Sequence, residues 1–148
     1  MHLVIDGFGC DYNQAGDPEH IRQFLDSFPE SIEMTKISDP LVTIYHGKHP
    51  EDWGVSGFVM IAESHISVHT FPERSHINID VFSCKEFDAK KASEQITNHF
   101  QLERIRSWIL TRGLEHLDPE TAEGVVANER EICLLYTSPS PRDRGCSR

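Results

Sequence analysis

Residues 54–73 read GVSGFVMIAESHISVHTFPE, and residues 76–84 read HINIDVFSC. In the first run Val55, Gly57, Val59 and Ile61 alternate with Ser56, Phe58, Met60 and Ala62, which is the two-residue period of a strand. Both sets are mostly apolar, so a strand over 55–62 is expected to be central and covered on both sides. His65 to Phe71 reads as a second extended stretch, ended by Pro72. Ile77, Ile79 and Val81 alternate with Asn78, Asp80 and Phe82 in a third. The short connections between consecutive runs favour antiparallel pairing.

Working outward, residues 2–8 (HLVIDGF) read as a first strand, with Gly7 and Gly9 loosening its end. Asp17-Pro18 is a helix start, and Ile21, Phe24, Leu25 and Phe28 follow with the spacing of one apolar helical face. Pro29 is expected to stop that helix. Leu41 to His46 reads as a strand and Gly47 to Trp53 as a loop. Asp88 caps a second helix carrying Ala92, Ile96, His99 and Phe100 on one side, and Arg104 to Thr111 forms a last strand. Asp118-Pro119 opens a short third helix. This order predicts an α/β (α+β) two-layer sandwich, an antiparallel sheet with two main helices on one face. The other face carries Phe58, Met60 and Phe82, and it is expected to pack against a second subunit in a homodimer.

Composition narrows the classes. The chain has 148 residues, 38% hydrophobic and 26% charged, which suits one globular domain. It has neither an apolar run long enough to span a membrane nor a signal-peptide pattern at its start, so a cytoplasmic protein is expected. A formal charge of −10 argues against nucleic-acid partners. Cys10, Cys84, Cys133 and Cys146 form no C-x-x-C pair and read as free thiols. The segment 133–148 (CLLYTSPSPRDRGCSR) has no hydrophobic period and clusters Ser, Pro and Arg. Its CLLYTSPSPRD resembles a one-frame translation of a common sequencing adapter. We therefore treat 133–148 as a non-native tail and 1–132 as the domain, with the natural chain interrupted near Ile132.

Residues 62–73 hold two serines, two histidines and two glutamates. On a strand, His65, Ser67 and His69 share one face. A polar edge strand is one reading of that face. A histidine metal site is a second, but His65 and His69 need a third ligand, and neither Cys84 nor Glu73 stands at a diagnostic spacing. A Ser-His-acid hydrolase is a third, but the G-x-S-x-G elbow is absent.

The runs GVSGFVMIAESHISVHTFPE, INIDVFSC and HLVIDGFGCD together resemble the S-adenosylmethionine decarboxylase proenzymes in their short prokaryotic form, over residues 2–100. That resemblance implies a self-processing, pyruvoyl-dependent carboxy-lyase acting on S-adenosyl-L-methionine for spermidine synthesis. It needs neither metal nor pyridoxal phosphate. Cleavage between Glu63 and Ser64 would leave a β chain ending at Glu63 and an α chain whose pyruvoyl group derives from Ser64 and takes the substrate amine as a Schiff base. By the same resemblance Ser56 and His69 assist processing and Cys84 is the proton donor in turnover. Glu73 binds the ribose hydroxyls, Phe71 supplies aromatic surface for adenine, and Asp6 is a further acidic position of the site; the family's aromatic residue shortly before the G-V-S-G run is Pro50 here, and Trp53 is expected to stand in for it. Relatives on this scaffold decarboxylate ornithine or arginine, so those substrates stay open, as does an inactive homologue acting as a regulatory or binding subunit. Strain at Glu63–Ser64 and donors to its oxyanion are expected. Because Ser64 and His69 alternate to opposite faces of a regular strand, a bend or bulge near Ser64 is expected too.

Overall fold

The structure is a computed structural model that describes residues 1–111. The expected helix at Asp118-Pro119 and the boundary at residue 132 lie outside the described residues. Strands β1 (His2–Phe8), β2 (Leu41–His46), β3 (Trp53–Ile61), β4 (Ser64–Phe71), β5 (His76–Ser83) and β6 (Arg104–Leu110) form one sheet in the order β2-β3-β4-β5-β1-β6. Every adjacent pair is antiparallel. Helices α1 (Tyr12–Gly16), α2 (Pro18–Ser31) and α3 (Ala89–His99), with a 3-10 turn at Pro72–Arg74, complete the elements of the described residues.

Alternation sorts each strand into two faces. Leu3, Ile5, Val55, Val59, Ile61, Ile66, Val68, Ile77, Ile79 and Val81 are buried with Ile21, Phe24 and Leu25 of α2 and Ala92 and Ile96 of α3. At roughly 1.5–3 kcal/mol for each large apolar side chain removed from water, this layer dominates the stability. Asp17 caps α2 through Glu19 N–H at 2.9 Å, and Asp88 caps α3 through Lys91 N–H at 2.9 Å.

Two expectations need correction. Pro29 does not stop α2, which runs on to Ser31. Proline removes one helical hydrogen bond and crowds the carbonyl four residues back; the helix continues only through Glu30 and Ser31, and the chain turns left-handed at Glu33 with φ 61°. Strand β3 is flanked by strands on both sides, but the described residues leave its second face bare: Phe58 is 39% exposed and Met60 47%. Period-two apolarity registers a face that wants cover and does not say whether the cover comes from the same chain.

Candidate active site

Strands β3 and β4 join through the two-residue turn Ala62–Glu63, with Ile61 opposite Ser64. Tight hairpins favour turns with positive φ at their first central residue, because that backbone matches the strand twist. Neither turn residue has a positive φ here; Ser64 does, at +150°. A non-glycine residue held there stores on the order of 1–3 kcal/mol. The strand register runs unbroken from Ser56↔His69 to Ile61↔Ser64, so of the expected bend or bulge there is no bulge, and the distortion sits in one dihedral of Ser64.

That dihedral has a chemical consequence. Cβ is offset from the carbonyl carbon by about 120° around N–Cα at a tetrahedral centre. A φ of +150° therefore puts the Ser64 Cβ only about 30° from eclipsing the Glu63 carbonyl carbon. At the usual extended φ near −140° the same angle is about 100°. Ser64 is thus turned so that Oγ can close a five-membered ring onto the carbonyl that precedes it.

The surroundings hold this turn on two sides. The Cys84 N–H donates to the Glu63 carbonyl oxygen at 2.9 Å, which polarises the carbonyl and stands where an oxyanion would develop. Cys84 is placed by the buried Ser83, whose Oγ donates to Lys85 O at 2.7 Å and whose N–H reaches Met1 O at 2.9 Å. Opposite, Ala62 N–H donates to Thr35 O at 2.8 Å, and Thr35 N–H donates to Glu63 Oε2 at 3.2 Å. Ser64 Oγ lies 3.1 Å from His65 Nδ1. The His65 ring stacks on Phe58 (centroids 5.2 Å, 27°) and meets Phe82 edge-on at 5.6 Å.

A second group lies farther along the bare face that carries His65. Ser56 Oγ is 3.0 Å from His69 Nδ1, the two residues being register partners. The row continues straight across the sheet, His69 opposite Asn78 and Asn78 opposite Asp6. Five residues of strand separate Ser64 from His69, roughly 17 Å at 3.4 Å per residue. The chain therefore brings together Glu63, Ser64, His65 and Cys84, and separately Ser56, His69 and Asp6, without joining the two groups.

Next to the second group is a cleft of about 190 Å³ lined by Tyr45, Trp53, Ser56, His69 and Phe71 among others. Phe71 stacks on His76 at 5.6 Å, and His76 on Phe8 at 4.8 Å. Trp53 is wedged against Gly16, where an added Cβ would come within 2.7 Å of its ring, and it stacks on His46 at 6.2 Å. Its Nε1–H donates to Glu73 Oε1 at 3.2 Å, and the Tyr12 hydroxyl donates to the same oxygen at 3.1 Å. The buried Thr70 hydroxyl donates to Ala15 O at 2.7 Å and fixes α1, which carries Tyr12. Because its proton is donated to the Glu73 carboxylate, whose charge also lies beside it, the Tyr12 phenol has its pKa raised.

The family model described as S-adenosylmethionine decarboxylase matches residues 1–113. The chain belongs to the S-adenosylmethionine decarboxylase family. A Clostridium botulinum S-adenosylmethionine decarboxylase proenzyme is 41% identical over 91 residues, covering 61% of this chain and 73% of the relative. The Pyrococcus furiosus proenzyme is 33% identical over 132 residues, covering 88% of this chain and 91% of the relative. The crystal structure of the adenosylmethionine decarboxylase from Aquifex aeolicus superposes with TM-score 0.63 and 30% identity, covering 79% of this chain and 92% of that one. The expected α+β architecture is thereby borne out for this S-adenosylmethionine decarboxylase family member.

Sequence reasoning missed Tyr12, Thr35 and Asn78, and it placed His65 on a polar strand face or as a metal ligand, without a role at Ser64. Tyr12 and Thr35 reach the site through tertiary contacts alone. Asn78 was visible as the polar member of an alternating strand, and His65 as the neighbour of Ser64.

Proposed function

We propose that the chain is a self-processing, pyruvoyl-dependent decarboxylase of S-adenosyl-L-methionine, cut between Glu63 and Ser64, and that it supplies the aminopropyl donor for spermidine. The observation that carries this reading is Ser64 turned onto a Glu63 carbonyl that already accepts the Cys84 N–H at 2.9 Å. Ser64 Oγ attacks that carbonyl carbon, the oxygen charge is held by the Cys84 N–H, and the C–N bond breaks as the Ser64 nitrogen takes up the hydroxyl proton. The amide becomes an ester. Loss of the Ser64 α-proton expels the Glu63 carboxylate from Cβ, and hydrolysis with release of ammonia leaves a pyruvoyl terminus. The residues fit that group because its precursor, its strain and its oxyanion donor coincide.

Once formed, the ketone supplies an electron sink for decarboxylation. The chain's own residues do the rest. Cys84 follows the buried Ser83 at the same turn and returns a proton to the α-carbon; its thiol is free and exposed. Glu73 receives the ribose hydroxyls, while Phe71 and Trp53 offer aromatic surface beside the cleft and Asp6 extends the polar row. Ser56 and His69 assist processing.

The bare sheet face supports a homodimer. A two-fold pairing of these faces about the middle of β4 would bring the Ser56–His69 pair of one protomer towards the Ser64 end of β4 in its partner, and so shorten the roughly 17 Å that separates the two groups in one chain. Among the described residues no helix is long and apolar enough to cross a membrane, and the free thiols of Cys10 and Cys84 suit the cytoplasm.

The test is a denaturing gel and mass spectrometry of the purified chain, followed by product analysis with S-adenosylmethionine, ornithine and arginine. Two fragments split at Glu63, a keto terminus and carbon dioxide from S-adenosylmethionine are expected. Ser64→Ala should give one uncut chain. A wild-type chain that stays whole would overturn the reading, and release of carbon dioxide from ornithine or arginine instead would reassign the substrate.

A further inference from the structure

We propose that His65 is the base that activates Ser64 in self-cleavage, a step that rests on the reading of Glu63–Ser64 as the processed bond. His65 Nδ1 lies 3.1 Å from Ser64 Oγ, within reach of direct proton transfer. The ring is held in place by Phe58 and Phe82, at 5.2 and 5.6 Å between centroids. The other histidine of this strand, His69, is five residues from Ser64 and is engaged with Ser56 Oγ at 3.0 Å.

The step balances without any other reactant. As the Oγ–C bond to Glu63 forms, the hydroxyl proton passes to His65 Nδ1, and the carbonyl electrons move onto the oxygen that accepts the Cys84 N–H. When the Glu63 C–N bond breaks, the imidazolium returns its proton to the departing Ser64 nitrogen. The ester and a free amine result, and His65 is regenerated. His69 is thereby left to the later stage, in which the ester is eliminated and then hydrolysed.

His65→Asn keeps a hydrogen-bond acceptor near the Nδ1 position and removes the base. In the full-length proenzyme it should slow cleavage by about a hundredfold or more, the usual worth of a positioned general base. Hydroxylamine, which cuts an ester but spares an amide, should not accelerate cleavage of His65→Asn. His69→Gln should still form the hydroxylamine-sensitive ester. His65→Ala separates base from packing: added imidazole should restore cleavage if the ring moves a proton and leave it slow if the ring only packs. Near wild-type cleavage by His65→Asn, an ester accumulating in it, or no rescue by imidazole would each overturn the assignment. Failure of the underlying reading looks different, because then the unsubstituted chain itself stays whole with and without hydroxylamine, and the assignment falls with it.

Discussion

The Cys84 backbone N–H reaches the Glu63 carbonyl oxygen at 2.9 Å, so Cys84 serves the bond before Ser64 through its amide, whatever its side chain does. Two substitutions separate the roles. Cys84→Ala keeps the amide and should keep self-cleavage, while it lowers decarboxylation or misplaces the returning proton. Cys84→Pro removes the N–H and should slow cleavage by roughly 10²–10³-fold, the effect of deleting one oxyanion donor. A gel time course measures both, with the thermal midpoint as a check on folding. Equal cleavage by the two variants would remove the amide from the mechanism.

Glu73 is held by one oxygen. Tyr12 and Trp53 both donate to Oε1, and no described residue hydrogen-bonds Oε2. A glutamate fixed in advance spares substrate the entropy of ordering it, about 1.5–2 kcal/mol for such a side chain. Tyr12→Phe removes one donor worth about 0.5–1.5 kcal/mol. KM for S-adenosylmethionine should rise by roughly two- to tenfold, with a much smaller change in kcat. In a Glu73→Gln background the same substitution should add little. An equal rise in both backgrounds would mean that Tyr12 does not act through Glu73.

Away from the site, His20 of α2 stacks on His99 of α3 at 4.4 Å and 22°, packed with Phe24 and Phe100. Neither Nε2 has a hydrogen-bond partner among the described residues. Burial first, and the neighbouring His20 second, push the His99 pKa below its usual 6.5. The unfolded chain therefore binds the proton more readily than the folded one. Stability should be full above about pH 6.5 and fall as pH drops towards the folded-state pKa. The thermal midpoint measured across that range should decline for wild type and decline less for His99→Leu. Identical slopes would clear His99 of the effect.

Much of this was legible beforehand, for identifiable reasons. Alternation located β1, β3, β4 and β5, and the 3.6-residue period located α2 and α3, because one buried face writes itself into the order of residues. Helix α1 left no such trace: it has five residues and buries only Ala15. The motif pointed to Glu63 and Ser64, but it could not say how Ser64 is strained. A bend or bulge near Ser64 was the expected device. A positive φ on a serine has no compositional mark, so the actual device is visible only in three dimensions. Apolar residues on both faces of β3 mark two faces that want cover, and the described residues supply it on one of them, leaving Phe58 and Met60 exposed on the face expected to meet a second subunit.

The last prediction concerns that cover. If Ser56 and His69 serve the partner's Ser64, each site is built from two chains, and two differently damaged chains can make one intact site between them. A Ser64→Ala chain keeps His69 but has no nucleophile. A His69→Gln chain keeps its nucleophile but lacks the histidine. Each alone should fail to complete pyruvoyl formation. Co-expressed, they should form mixed dimers in which the His69→Gln chain meets an intact His69 across the interface. That chain alone should then be cut, with its keto terminus detected by mass spectrometry. Phe58→Glu or Met60→Glu should lower both the sedimenting mass and this complementation, since a carboxylate buried on the paired face is costly. If mixing restores nothing while both variants still dimerise, processing is completed within one chain, and β4 must bend by far more than its unbroken register to β3 allows.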